Sequence, residues 1–191
     1  MSNKIEIANV ALTALGADPI TSLSDPESEN ARKVNRVYDT VRKATLRKHF
    51  WNFAMKEAQL ARLTTVPVLD DYTYIFQLPS DYIRLKKTDL DIANGDTYKI
   101  KGRCIYCNST SLKIEYVYDC DDPNLYDAEF IEAFAAALAD VLAYPITTNA
   151  TMAQTVKAEA RDKLRTAKST DSMEETPDKP TRGSWIRARN R

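Results

Sequence analysis

The sequence predicts an α+β fold: a four-helix bundle with an inserted antiparallel β-rich region and an extended C-terminal arm. Three observations predict it. Apolar residues recur at helical spacing at both ends of the chain. Between them lie short aromatic and β-branched runs separated by Asn, Gly, Ser and Pro. The last stretch is polar and arginine-rich, with too few apolar groups to fold alone. The predicted boundaries are 1–51 and 119–168 for the bundle, 52–118 for the insertion and 169–191 for the arm.

The first helix is predicted over 3–15, where Ile5, Ala8, Leu12 and Leu15 share a face and Gly16 with Pro19 stops it. The second begins with Ser24 or Asp25 as N-cap, Pro26 in the first turn, and Glu27 and Glu29 at the positive end. Its apolar face is Ala31, Val34, Tyr38, Val41 and Leu46. Its many Arg and Lys residues, interrupted by Glu29 and Asp39, read as a solvated face.

The strands are expected at 72–76, 82–85, 98–101, 103–106 and 112–118, arranged as an antiparallel meander with turns at Asn94-Gly95 and Gly102. Segment 53–63 favours a helix by propensity, through Met55-Lys56-Glu57-Ala58-Gln59-Leu60-Ala61. Helical signal returns at Asp127, with a stripe of Phe130, Phe134, Leu138, Val141 and Leu142 surrounded by alanines, and Pro145 is expected to end that helix. The fourth is predicted over 151–168, with Met152, Val156, Ala160 and Leu164 on one face.

The chain's 191 residues suffice for a sizeable core, and 43% of them are apolar, near the globular average. No uninterrupted apolar run approaches the length of a membrane span, and residues 1–5 lack the apolar stretch of a secretory signal, so neither membrane nor export is expected. Three cysteines, an odd number, argue for free thiols in a reducing compartment. Cys104 and Cys107 are spaced as zinc ligands could be, with Cys120 and His49 completing a set. In a strand, however, positions three apart face opposite ways, so no metal and no cofactor are expected.

Net charge is zero but unevenly spread. Seven acids and no base lie between Asp119 and Asp140, while four arginines and no acid lie between Pro180 and Arg191. Such a split can bring like subunits or partner rings into register. Asp119, Asp121 and Asp122 are therefore candidate channel or interface acids, although acids at a helix start, such as Asp127 and Glu129, also serve the helix itself.

Catalytic signals are sparse. One histidine, no Gly-x-Ser-x-Gly, no His-Glu-x-x-His and no phosphate loop leave no nucleophile and base pair. The acid pairs Asp70-Asp71 and Asp121-Asp122 suit a divalent cation or glycoside hydrolysis in principle, but turn residues beside them favour solvated loops. The chain is not expected to be an enzyme. The arm offers more: Arg182, Trp185, Ile186, Arg187, Arg189 and Arg191 combine an aromatic anchor with charged forks, the residue types that dominate interfaces. Fully extended, the stretch beyond Lys168 spans ~75 Å, enough to lie on another subunit. The same residues suit nucleic acid, through phosphate pairing and base stacking.

One stretch has a rarer order: a helix, the turn Gly16-Ala17-Asp18-Pro19, a proline-started helix, and the aromatic exit His49-Phe50-Trp51-Asn52-Phe53-Ala54. With Leu78-Pro79-Ser80-Asp81-Tyr82-Ile83-Arg84, Lys101-Gly102-Arg103, Ile114-Glu115-Tyr116, Phe134-Ala135-Ala136-Ala137-Leu138-Ala139 and Ser184-Trp185-Ile186-Arg187, it resembles the tail tubular protein A family of short-tailed bacteriophages, over nearly the whole chain. Phe50 departs from the proline expected before the tryptophan. The resemblance implies a strand, not a helix, after Trp51-Asn52-Phe53-Ala54. It also implies a structural virion protein: a dodecameric head-to-tail adaptor ring that docks on the portal protein, extends the DNA channel and carries a tubular protein B-like tail nozzle. DNA would pass unread, and the protein would occupy the host cytoplasm only during assembly. The alternative is a small nucleic-acid-binding protein using its arginine-rich arm.

Overall fold

A computed structural model describes residues 3–68, 71–92 and 95–174. It is a mixed α+β structure of four helices and two small antiparallel sheets. Helix α1 (Lys4–Ala14) starts at a capping box, in which the Asn3 side chain accepts from Ile5 N at 3.0 Å and Glu6 accepts from Asn3 N at 3.0 Å. Gly16, with φ of +67°, takes the left-handed conformation that ends it. Asn9 then holds the following loop by bonding both the N–H and the carbonyl of Ile20.

Helix α2 (Glu29–Arg47) starts later than predicted: Ser28 is its N-cap, with the hydroxyl accepting from Ala31 N. Asp25 is spent instead on Glu27 N in the turn ahead. Two cap-competent residues compete here, and the one nearer the apolar stripe wins. The predicted face Ala31, Val34, Tyr38, Val41 and Leu46 is buried.

After a 3-10 turn at Asn52–Ala54 comes β1 (Met55–Gln59), a strand, against local helix propensity. It pairs antiparallel with β6 (Lys113–Tyr118), which also pairs with β3 (Tyr82–Thr88). The second sheet joins β2 (Tyr74–Gln77), β5 (Cys104–Cys107) and β4 (Tyr98–Lys101). The predicted strand positions hold, but the meander does not. The orders β1-β6-β3 and β2-β5-β4 place β6 and β5 centrally, so β6 closes the first sheet by a long return. Alternation explains how β6 serves two cores: Ile114 and Tyr116 face the second sheet, while Val117 faces the helices. The expected Asn94-Gly95 turn lies partly outside the described residues.

Helix α3 (Ala128–Thr147) packs against the other three helices. Phe130, Phe134, Leu138 and Leu142 are buried as predicted, whereas Val141 is 45% exposed. Pro145 does not end the helix, which continues to Thr147 and closes at Thr148 in the left-handed region. A proline in the last turn removes a single bond, to the carbonyl of residue 141 on the solvent side, so its cost is small there. By length and composition α3 could cross a bilayer, which no uninterrupted apolar run had suggested; its apolar stripe is instead covered by α1, α2 and α4. Helix α4 (Ala150–Met173) runs beyond the predicted end at 168, so residues 169–173 are helix and not arm.

Candidate interaction surfaces

The arm residues Arg182, Trp185, Ile186, Arg187, Arg189 and Arg191 lie outside the described residues, as does Asp70. What the structure defines is the helix that precedes them in the chain, α4. The apolar stripe of α4 continues Val156, Ala160, Leu164, Ala167 at spacings of three and four, and its next member is Asp171. That carboxylate is only 6% exposed. One oxygen accepts from Asn52 N at 3.1 Å and the other meets His49 Nε2 at 3.0 Å, while Asn52 Nδ2 donates to the Asp171 carbonyl at 3.0 Å. His49 stands edge-on to Trp51, whose indole N–H donates to the Thr45 carbonyl at 3.1 Å. The aromatic exit of the sequence is therefore a socket for the last turn of α4.

A second polar node joins α2 to the β6–α3 connection. Arg42, 3% exposed, donates to the Cys120 carbonyl at 2.8 Å and lies 3.0 Å from Asp119. Lys43 meets the other Asp119 oxygen at 3.0 Å. The Arg42–Asp119 contact is an ion pair without a well-directed hydrogen bond, since Arg42 Nε and Asp119 Oδ1 both lack one. Tyr126 donates to the same Cys120 carbonyl at 2.9 Å. Burial pushes its phenol up to about 12, and burial also raises Tyr38 and Tyr118 well above the usual phenol range.

This changes the reading of the acidic run, which does find internal counter-charges. Asp119 is neutralised by α2, Glu132 lies 3.5 Å from Lys163 of α4, and Asp127 caps α3. The physical reason is tertiary: partners distant in sequence are neighbours across packed helices. Asp122 accepts from Asn124 N and Nδ2 and fixes the short 3-10 turn at Pro123–Leu125, leaving its charge, like that of Asp121, exposed.

At Asp81, burial acts to raise the carboxyl, but hydrogen bonds from Lys56 and Tyr116 and the Lys56 charge outweigh it, and the pKa is lowered. Cys104 and Cys107 point to opposite faces of β5, and burial raises the Cys107 thiol. Cys120 belongs to the helical core, away from both. All three are free thiols, and no cluster of three metal-ligating side chains occurs among the described residues. A cleft of about 340 Å³ across the first sheet is lined by Glu57, Lys87, Thr88, Asp89, Lys113 and Glu115, a mixture of charges around one hydroxyl.

Sequence reasoning missed the Asp171 socket and the basic ground around Lys168. Burial lowers the Lys168 pKa, as do the nearby charges of Lys48 and Arg84. Arg84 is held over the Phe50 ring at 4.2 Å and donates to the Arg47 carbonyl at 3.1 Å. The signal that could have found Asp171 was the continuing three-and-four spacing; nothing local announces the meeting of Lys48, Arg84 and Lys168. No protein-family model matches the chain. Comparison with curated proteins finds no match either.

Proposed function

We propose that this protein is a structural virion component, a head-to-tail adaptor of the tail tubular protein A kind. Copies would form a ring on the portal, continue the DNA channel and offer a platform for the tail nozzle. In this reading the four helices act as a bundle that forms the ring wall, and the two sheets form the surface for the next tail component. The observation that carries it is the ordered set of motifs running from Gly16-Ala17-Asp18-Pro19 to Ser184-Trp185-Ile186-Arg187. Support comes from two elements that the motifs bracket. The aromatic exit is a hydrogen-bonded socket around Asp171, three positions before the last described residue, Glu174. A pinned root suits a docking arm, because less freedom is lost when the arm binds. The experiment is a pull-down of the protein on its portal ring, with salt-tolerant binding expected.

A second reading keeps one observation in its favour: Lys48, Arg84 and Lys168 gather without an ion-paired acid among the described residues. Nucleic-acid binding through these and the arm would fall steeply with salt. A hydrolase reading would require activity lost on substituting Asp121.

A further inference from the structure

We infer that the groove on the outer side of α4 receives the acidic turn at 121–127 of a second copy of this chain. The inference rests on the ring reading and deepens it by naming the two faces that meet. The groove is lined by Arg161, Leu164, Arg165, Lys168, Ser169 and Ser172. Arg165 has Asp162 at 3.2 Å, but Arg161 and Lys168 have no ion-paired acid among the described residues. Lys168 is half-buried beside Lys48 and Arg84. Cations held together without a counter-charge repel one another in the free subunit, and an incoming acid turns that repulsion into attraction.

The acidic turn has the complementary make-up. Asp121, Asp122 and Asp127 are exposed, and among them Leu125 is an apolar tip 52% exposed. The turn is already rigid, through the Asp122 bonds to Asn124 and the Tyr126 bond to Cys120, so little order is lost on docking. An apolar tip flanked by acids meets an apolar floor, Leu164, flanked by bases. A nucleic-acid strand would use the cations alone and leave both leucines unmatched. Because groove and turn are different surfaces, the contact is head-to-tail, the kind that repeats into a ring when its rotation closes.

The test uses the full chain in two variants, Arg161→Glu/Lys168→Glu and Asp121→Lys/Asp122→Lys, each checked by circular dichroism for unchanged helix content and cooperative melting. Sedimentation velocity at low salt is run over a concentration series. The parent should self-associate, each variant alone should do so about tenfold more weakly, and an equimolar mixture should recover the parent's behaviour, because each variant's altered face meets its opposite. A monomeric parent at every concentration, a variant that self-associates like the parent, or a mixture that fails to recover would overturn the proposal. So would loss of duplex DNA binding in Arg161→Glu/Lys168→Glu with self-association intact, which would assign the groove to phosphate. Portal binding by the parent, measured separately, tells failure of the adaptor reading apart from failure of this contact.

Discussion

Replacing Asp171 by alanine tests the socket that roots the C-terminal segment. The side chain is 6% exposed, so its charge is little screened, and it serves two donors, Asn52 N at 3.1 Å and His49 Nε2 at 3.0 Å. A hydrogen bond to a charged group contributes about 1.5–3 kcal/mol, and a buried N–H left without a partner costs about 1–3 kcal/mol; the two overlap, giving a loss of about 3 kcal/mol. The Asn52 side-chain bond to the Asp171 carbonyl survives the change and limits the damage. For a chain of this size the melting temperature should fall by roughly 6–12 °C. Asp171→Asn keeps an acceptor for Asn52 and should cost about 1 kcal/mol. A double-mutant cycle with His49→Ala should show coupling of roughly 1 kcal/mol, since the two side chains are in contact. The assay is thermal unfolding by circular dichroism with a urea series alongside. If Asp171→Ala melts with the parent, or if it and His49→Ala are additive, the socket does not hold the end of α4.

Alkaline pH should destabilise the fold. The Tyr126 phenol stays protonated up to about 12 in the folded chain and loses its proton from 10.0 when unfolded, so its contribution is intact below pH 10 and is lost as pH rises to about 12. Tyr126→Phe should be slightly less stable at pH 8, through the lost bond to Cys120, and should show a shallower alkaline decline; an unchanged decline would refute the assignment. Asp119 and the pair Asp121 and Asp122 should separate: Asp119→Ala leaves Arg42 buried with a poorer partner and should lower stability by about 2 kcal/mol or more, measured in urea. Neutralising Asp121 and Asp122 together should alter ring assembly while melting stays near the parent's, and normal assembly would make them merely solvated. Removing residues 177–191 should leave helix content and melting nearly unchanged yet abolish portal attachment, and Trp185→Ala should weaken that attachment by about 2 kcal/mol or more per copy. Normal attachment of the truncated chain would show the arm dispensable, and a collapsed melting transition would place it in the fold.

Elements were legible where periodicity and turn chemistry agreed. The stripe of α3 and the alternation of β6 are written locally, and burial follows the pattern except at Val141. Boundaries failed where two local signals competed. Asp25 and Ser28 can both cap a helix, Pro145 is damaging only if the helix must continue far beyond it, and Asp171 looks like a polar residue of a tail until His49 and Asn52 are brought to it. Strand order was illegible because nothing in β6 says that β1 and β3 are its neighbours rather than β5. The partners of the acidic run were illegible for the same reason: Arg42, Lys43 and Lys163 meet Asp119 and Glu132 only after α2 and α4 have packed. The resemblance placed a strand after the aromatic exit where propensity favoured a helix, and β1 is there.

The adaptor account is tested most directly by the mass of the protein in solution, alone and mixed with its portal ring, by native mass spectrometry. Alone, the chain should be a monomer at low concentration that associates only weakly, at low salt and high concentration, and never closes a ring, because its arm gains contacts only when a partner orders it. With the portal, it should appear as one closed ring per portal at a fixed stoichiometry. A stable closed ring without portal would contradict the order of assembly, and a chain that stays free beside an intact portal would contradict the adaptor function itself.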